Sequence, residues 1–358
     1  DCQNCFGCIG LRSKQYHIFN TPYSKEEYEE RVAEYQLGTR AGFARAQAEA
    51  ERFIKTQPHA FARILKSQDV TGDDIRGCNN LENCFDMNEG CENIANSMFA
   101  AGKSVDCVDS VIMVENSSLI GNSMGIPGGY HIVGGNICWF DREVYYSHFV
   151  VSSQNCFGCI SLNKKQYCIL NRQYTQEEYE KLSATIIGEL KVHDQWGRYF
   201  PRELSPFGYN ESAAMDYFPL EKDVARSRGY RWQDEMPSTT GKETIRQSAI
   251  PDDCIDAQES LTKEILACDA CKRNYKIIAG ELKLYKSLGV PIPDFCPLCR
   301  HFNRMKRRNA RHLYHRQCMC DHAGHEHTGR CSVQLETTYT PERPERVFCE
   351  SCYQKEVI

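Results

Sequence analysis

A segment near the start of the chain returns near its middle. QNCFGCIGLRSKQYHIFNTPYSKEEYEE begins at Gln3, and QNCFGCISLNKKQYCILNRQYTQEEYEK begins at Gln154. Over residues 3–36 and 154–187, 19 of 34 positions are identical. A duplicated unit of this kind constrains the fold strongly, because one repeat buries its apolar face only by stacking on another. Both copies end in a helix start. Ser24-x-x-Glu27 and Thr175-x-x-Glu178 are capping boxes, in which the hydroxyl serves first-turn amides and the glutamate reaches back.

A shorter periodicity lies between the copies, over residues 77–160. NCFDMN at Asn83, DCVDSVIMV at Asp106, NICWF at Asn136 and QNCFGCISL at Gln154 each place a polar residue and a cysteine before a short apolar run. The spacing reads as about 18 to 23 residues, one coil of a β-solenoid. Inward positions would then stack Cys, Val, Ile and Phe, with Asn and Gly at the corners. Cysteines in such a stack serve as small buried hydrophobes rather than ligands or nucleophiles. The Ala- and Glu-rich stretch 24–76 reads as a helical excursion from one coil, helical to Pro58 with a second short helix at Ala60–Lys66. The first repeat begins at once, with no polar cap before it, which leads us to expect earlier coils N-terminal to Asp1.

Residues 172–265 follow as a helix to about Lys191 and then a segment rich in rings. Trp196, Tyr199, Phe200, Phe207, Tyr209, Tyr217 and Phe218 are expected to pack over the open end of the last coil. Residues 234–253 are polar and read as a linker.

The chain holds 21 cysteines, and those near its end have metal-ligand spacing. Cys268, Cys271, Cys296 and Cys299 form two Cys-x-x-Cys pairs separated by 24 residues. A two-residue spacer turns both thiolates onto one ion, and two such pairs supply the tetrahedral set that structural Zn²⁺ takes. A second zinc site draws on Cys349 and Cys352 and on Cys318, Cys320 and Cys331. Cys320 with Cys331 is the favoured opposite pair and Cys318 the spare, although spacing alone does not decide which four bind. His322, His325 and His327 are assigned to an exposed loop, since five cysteines already exceed the need.

Charge divides along the chain. From Cys268 onward there are 16 Lys/Arg against 10 Asp/Glu, whereas the whole chain carries a net −5. Between the two cysteine clusters, residues 300–316 hold seven basic side chains and no acid: Arg300, Arg304, Lys306, Arg307, Arg308, Arg311 and Arg316. Phe302 and Tyr314 are interleaved. Read as a basic helix, this stretch suits RNA or single-stranded DNA, with guanidinium groups on phosphates and rings on bases. The alternative is a helix that balances the acidic body.

The layout NCFGC…YCILN…YTQEEYE, then FPRELSPFGYNE, then CMC…TTYTPERPERVFCESCYQKEV resembles long zinc-ribbon proteins of candidate-phyla bacteria. The stretch CDACKRNYKIIAGELKLYKSLGVPIPDFCPLCR resembles their zinc ribbon. Some of those proteins carry a CoA-transferase-like name, which brings with it neither a nucleotide loop nor a catalytic acid in this sequence. His17 stands where the second copy has Cys168, which speaks against a metal or disulfide role for that position.

The sequence therefore predicts a mainly β chain with α insertions: a β-solenoid over 1–171 with its helical insertion at 24–76, and a cap and linker over 172–265. A first zinc module with a basic helix follows at 266–316, and a second zinc ribbon at 317–358. Heavy use of unpaired cysteine fits a reducing, cytoplasmic compartment, and no apolar run is long enough to span a bilayer. The expected function is non-enzymatic, a nucleic-acid contact through Arg300–Arg316. One alternative is a protein-interaction scaffold with purely structural zinc. Another is an acyltransferase-like enzyme on the solenoid, which needs a histidine–carboxylate pair at a coil interface from His131 or His148.

Overall fold

In a computed structural model that describes residues 1–357, the chain is mixed α/β and is dominated by one 17-stranded sheet. The sheet runs from Ile64–Leu65 to Arg172–Gln173. Pairing is parallel throughout until Arg172–Gln173 folds back antiparallel on Gln166–Ile169. From residue 92 on, each strand pairs with the strand one repeat before and one repeat after. Val105 lies opposite Glu92 and Ser118, Ser118 opposite Tyr130, and Tyr130 opposite Arg142. The repeat is thus 13 residues early and 12 later, shorter than the 18 to 23 that the cysteine-led segments suggested.

Every third residue points inward. One interior column is apolar through Leu81, Ile94, Cys107, Ile120, Ile132, Val144 and Cys156, all buried. Another column is small and polar. Its serines have a structural task, since the Oγ of Ser97 accepts from Ser110 N–H at 3.1 Å and that of Ser110 from Ser123 N–H at 3.2 Å. These bonds satisfy buried amides that the strand ladders leave free. The stack's eight cysteines at 78, 84, 91, 107, 138, 156, 159 and 168 are buried and free, filling volume as expected.

The first copy of the duplicated segment stands apart from this stack. Residues 3–22 form a separate three-stranded sheet, against which Phe6 packs Tyr35 and Phe19 packs Phe53. Helices Lys25–Ala33 and Arg40–Thr56 follow, the first with the expected capping box at Ser24 and Glu27. The second box, Thr175 with Glu178, opens helix Gln176–Val192, whose Tyr179 is buried beside Phe157 and Ile169 at the far end of the stack. Residues 60–66 contain no helix. Pro58–Ala60 and Ile64–Leu65 are strands, drawn into pairing by neighbours the local sequence does not reveal.

The aromatic segment also lies elsewhere than expected. Trp196 stacks on Tyr145 and Tyr146 at 5.4 and 5.8 Å, and Phe200 on Tyr146 at 6.1 Å. Tyr146 Oη further receives the Gly197 N–H at 2.8 Å. These rings brace the flank of the stack, because the end of the last coil is already covered by the returning strand and the helix after it. Among the described residues no helix is long and apolar enough to cross a membrane.

One interior slot carries a charge. Asp141 occupies the column that holds Ser104, Ser117, Gly129 and Ser153 in other coils, and it is 2% exposed. Its Oδ1 accepts the Ser153 N–H at 2.6 Å, and its Oδ2 has no partner. Burial pushes its carboxyl up to about 7, against the lowering effect of the Ser153 and Trp139 amides. The folded state then holds a proton that the unfolded chain releases, so stability falls as pH rises from the unfolded value toward 7 and levels off above it. The full penalty is on the order of 4 kcal/mol. Asp141→Asn should therefore gain stability over the parent in urea unfolding, by about 3 kcal/mol more at pH 8 than at pH 4.5. A difference that stays flat across this range would count against the assignment.

Candidate metal centres

The first Cys-x-x-Cys pair lies on a tight hairpin. Leu266–Ala267 pairs antiparallel with Asn274–Tyr275, and Cys268 and Cys271 occupy the turn between them. The second pair begins a helix. Cys296 caps Pro297–Met305, with Pro297 at the first helical position, where its missing N–H costs nothing. Helix Ala279–Leu288 joins the halves and ends at Gly289, whose φ of 61° a side chain would strain. The four sulfurs lie within 4.8 Å of one another.

Distance separates a metal site from a disulfide here. Cys271 and Cys296 sulfurs are 3.7 Å apart, far beyond an S–S bond of about 2.05 Å. Two thiolates on one tetrahedral zinc, each about 2.3 Å from it, sit about 3.8 Å apart. Backbone amides also favour thiolate, as the Cys296 N–H reaches Cys268 Sγ at 3.2 Å. Burial pushes the Cys268 thiol up, but the amides of Cys271, Cys296 and Ala270 outweigh it and hold it well below the usual thiol range.

The second cluster repeats this plan. Strand Tyr314–Gln317 pairs antiparallel with Gln334–Thr337, and Cys318 and Cys331 flank the loop between them. Cys349 and Cys352 sit at the start of helix Glu350–Val357. Cys318, Cys331, Cys349 and Cys352 converge, all four buried. Cys318, expected to be the spare, is therefore in the four-thiolate set and Cys320 is not. The Cys349 N–H also donates to Cys318 Sγ at 3.2 Å. Cys320 instead faces histidines, with His325, His327 and Cys352 in one group. The histidine loop is likewise not simply exposed, since the His325 side chain is only 4% accessible.

Both modules fold back onto the beginning of the chain. Arg346–Phe348 pairs in parallel with Pro58–Ala60, and Thr338 Oγ1 donates to Asp73 at 3.0 Å. Arg40 reaches Asp294 at 2.8 Å beside the first cluster. The second module thus lies along the first strands of the stack.

The basic stretch is not one helix. The helix ends at Met305, and Tyr314–Gln317 is a strand. Arg311 is almost enclosed, its Nε 2.8 Å from Asp86 and its guanidinium over the Phe99 and Tyr217 rings at 4.5 and 4.1 Å. Arg300 pairs with Glu281 at 2.8 Å, Arg307 with Glu51, and Arg316 donates to Thr340 O at 3.1 Å. Arg308 lies over the Tyr217 ring. Of the seven, Arg304, Lys306 and Arg308 are exposed and have no carboxylate partner among the described residues. Tyr314 packs on His312, and Phe302 on His301, whose Nε2 is 2.8 Å from Asp216.

Of the two stack histidines, His131 Nδ1 is 2.7 Å from Glu143 on the adjacent coil, and Tyr145 Oη bonds to the same carboxylate. The pair is half-exposed. Sequence could not reveal Glu143 as its partner without the 12-residue register. His148 packs against Phe149. No family model, curated protein or solved structure matches this chain.

A closed four-thiolate site stabilises its module by roughly 10–16 kcal/mol at neutral pH. Stripping metal with a strong chelator should unfold residues 266–305 and 317–357 while the stack keeps its far-ultraviolet β signal. Hydrogen exchange should then rise at residues 58–60, which lose the pairing strand Arg346–Phe348. Unchanged exchange there after complete metal removal would contradict the assignment.

Proposed function

We propose that this protein is a non-enzymatic, zinc-stapled scaffold, whose strands wind as one narrow solenoid and whose flank binds a protein partner along an apolar column. One observation carries this reading. At the outward corners of the stack the backbone is left-handed, and Asn or Asp fills many of them, as at Asn80, Asn83, Asn93, Asn96, Asp106 and Asp109. These residues tolerate that conformation best after glycine. One register-aligned column departs from this: Phe99, Ile112, Ile137 and Phe149 have φ of 59°, 62°, 56° and 53°, with Gly125 between Ile112 and Ile137.

A β-branched residue in this region costs about 1–2 kcal/mol. Ile112 is nevertheless 43% exposed and Phe149 48%, with Met124 and Ile160 exposed beside them. Folding gains little from an isoleucine there. A contact outside the chain supplies a reason for it, since exposed apolar side chains grouped on one face are the usual form of such a contact.

The metal modules fit this role as staples. Zinc suits both four-cysteine sets, which leave no open coordination position for chemistry. Their strand Arg346–Phe348 and the enclosed Arg311 hold the first coils, including Phe99 at the head of the column. Ile112→Asn and Ile137→Asn should each raise folding stability by about 1 kcal/mol in chemical denaturation. A photo-crosslinker at Phe149 should trap a discrete protein adduct in cells, and the double variant should lower its yield at least fivefold. Equal trapping from a crosslinker at Glu115, outside the column, would reject the reading.

A second reading, contact with single-stranded nucleic acid, rests on a cavity of about 490 Å³ that Tyr217, Phe302, Lys306 and Arg308 line together. With only Arg304, Lys306 and Arg308 both exposed and without a carboxylate partner among the described residues, about three phosphate contacts are available, so log K against log[salt] should slope near −2 at roughly −0.7 per contact. Replacing those three with Gln should abolish RNA binding in fluorescence anisotropy at about 50 mM salt, where such contacts are strongest. No binding by the parent chain under the same conditions would leave the scaffold alone.

A further inference from the structure

We infer that Cys352 bridges two zinc ions, so that the second module holds a binuclear centre and the chain three metal ions. The inference rests on reading Cys318, Cys331, Cys349 and Cys352 as a zinc site. It adds a second ion held by Cys320, His325, His327 and the shared Cys352. A thiolate sulfur has lone pairs enough for two metals, and both sets of ligand atoms already converge on it.

The two histidines carry the case. A histidine that binds a metal through one ring nitrogen characteristically donates the other N–H to a carboxylate or a backbone carbonyl. His327 meets this pattern, and His325 has a carboxylate facing its second nitrogen. His325 turns Nδ1 to Cys320 Sγ at 3.1 Å and Nε2 to the Glu356 carboxylate at 3.5 Å. His327 turns Nε2 to Cys352 Sγ at 3.5 Å, while its Nδ1 lies 2.7 Å from the Gly329 carbonyl. A carbonyl only accepts, so the proton of His327 sits on Nδ1 and the Nε2 lone pair faces the sulfur. Sulfur and imidazole nitrogen on one tetrahedral zinc would be about 3.6 Å apart, from bonds of about 2.3 and 2.0–2.1 Å. The 3.5 Å at His327 matches, and His325 stands closer to its sulfur, at 3.1 Å.

Charge points the same way. Five thiolates and two neutral imidazoles around two divalent ions leave one net negative charge, less than four thiolates leave around one ion. Glu326, on the same loop, is tied at 2.8 Å to Lys355 of the helix that carries Cys352, which holds the loop over the cluster. His322 is exposed and supplies no ligand in this arrangement.

Metal content of the full-length purified protein tests this, read with zinc X-ray absorption. The parent should hold about three zinc per chain and give a zinc–zinc distance of about 3.8 Å, as expected for two bonds of about 2.3 Å at a tetrahedral sulfur. Cys320→Ser with His327→Ala should retain about two and lose the zinc–zinc signal. Cys268→Ser should also retain about two but keep it, and His322→Ala should retain all three. A parent with two zinc, unchanged by the Cys320 and His327 substitutions, overturns the bridge while sparing the four-thiolate site. A parent with one zinc, lost in Cys268→Ser, overturns both. Loss of zinc on His322→Ala alone also overturns the bridge as drawn.

Discussion

The inward turn of every third residue governs this protein. A repeat of 12 or 13 residues is short, and bringing successive strands into parallel register requires the chain to bend at short intervals. Each bend uses a left-handed residue, which L-amino acids other than Asn, Asp and Gly adopt at a cost. Inward side chains must also be small enough to pack together in so short a repeat. The interior accordingly alternates Ile, Val and Met with Ser, Cys and Gly. At Gly129 an added Cβ would lie 2.3 Å from Ile126 Cγ2, and at Gly135 2.5 Å from Ile132 Cγ2, so glycine is needed beside those branched neighbours. Serine adds what glycine lacks, a hydroxyl that caps buried amides between coils.

A stack built this way has exposed backbone at its ends, which invites pairing with another chain. The two ends are treated differently. At the far end, Arg172–Gln173 folds back antiparallel and helix Gln176–Val192 lays Tyr179 over the last apolar residues. At the near end the chain brings back its C-terminal module. Arg346–Phe348 pairs with Pro58–Ala60, and Arg311 reaches Asp86 between two rings. A guanidinium that leaves water needs both a charge partner and a weakly polar bed, and that site supplies both. Short hairpins and helices of this size have too little apolar core to hold such a shape alone, and the two four-cysteine clusters lie where each module's halves meet.

Parts of this were legible in the sequence and parts were not, for physical reasons. The duplicated segment was plain, as were both capping boxes, since each depends on residues three apart. The Cys268 and Cys296 pairs were plain because two-residue spacing is itself the geometry. The coil length was hidden, because Cys, Ser, Gly and Ile interchange in inward slots and leave no simple apolar period. The two copies also diverge in setting: Cys156 and Cys159 are buried in the stack, while Cys5 and Cys8 lie in a small separate sheet and remain partly accessible. Near-identical local sequence therefore did not guarantee equal surroundings.

The basic stretch shows the same limit in electrostatic form. Seven cations without an acid in 17 residues look unbalanced only while their partners are out of sight. Asp86 and Glu51 come from far along the chain and Glu281 from the preceding helix, and each pairs with one guanidinium. The histidines beside Cys320 pose the converse case. Counting cysteines made them superfluous, yet Glu356 and the Gly329 carbonyl orient both rings toward sulfur. A ligand is identified less by its own position in the sequence than by what holds its second nitrogen. That information lies in the fold of helix Glu350–Val357 over the loop, so only the folded geometry separates a candidate ligand from a histidine on a polar loop.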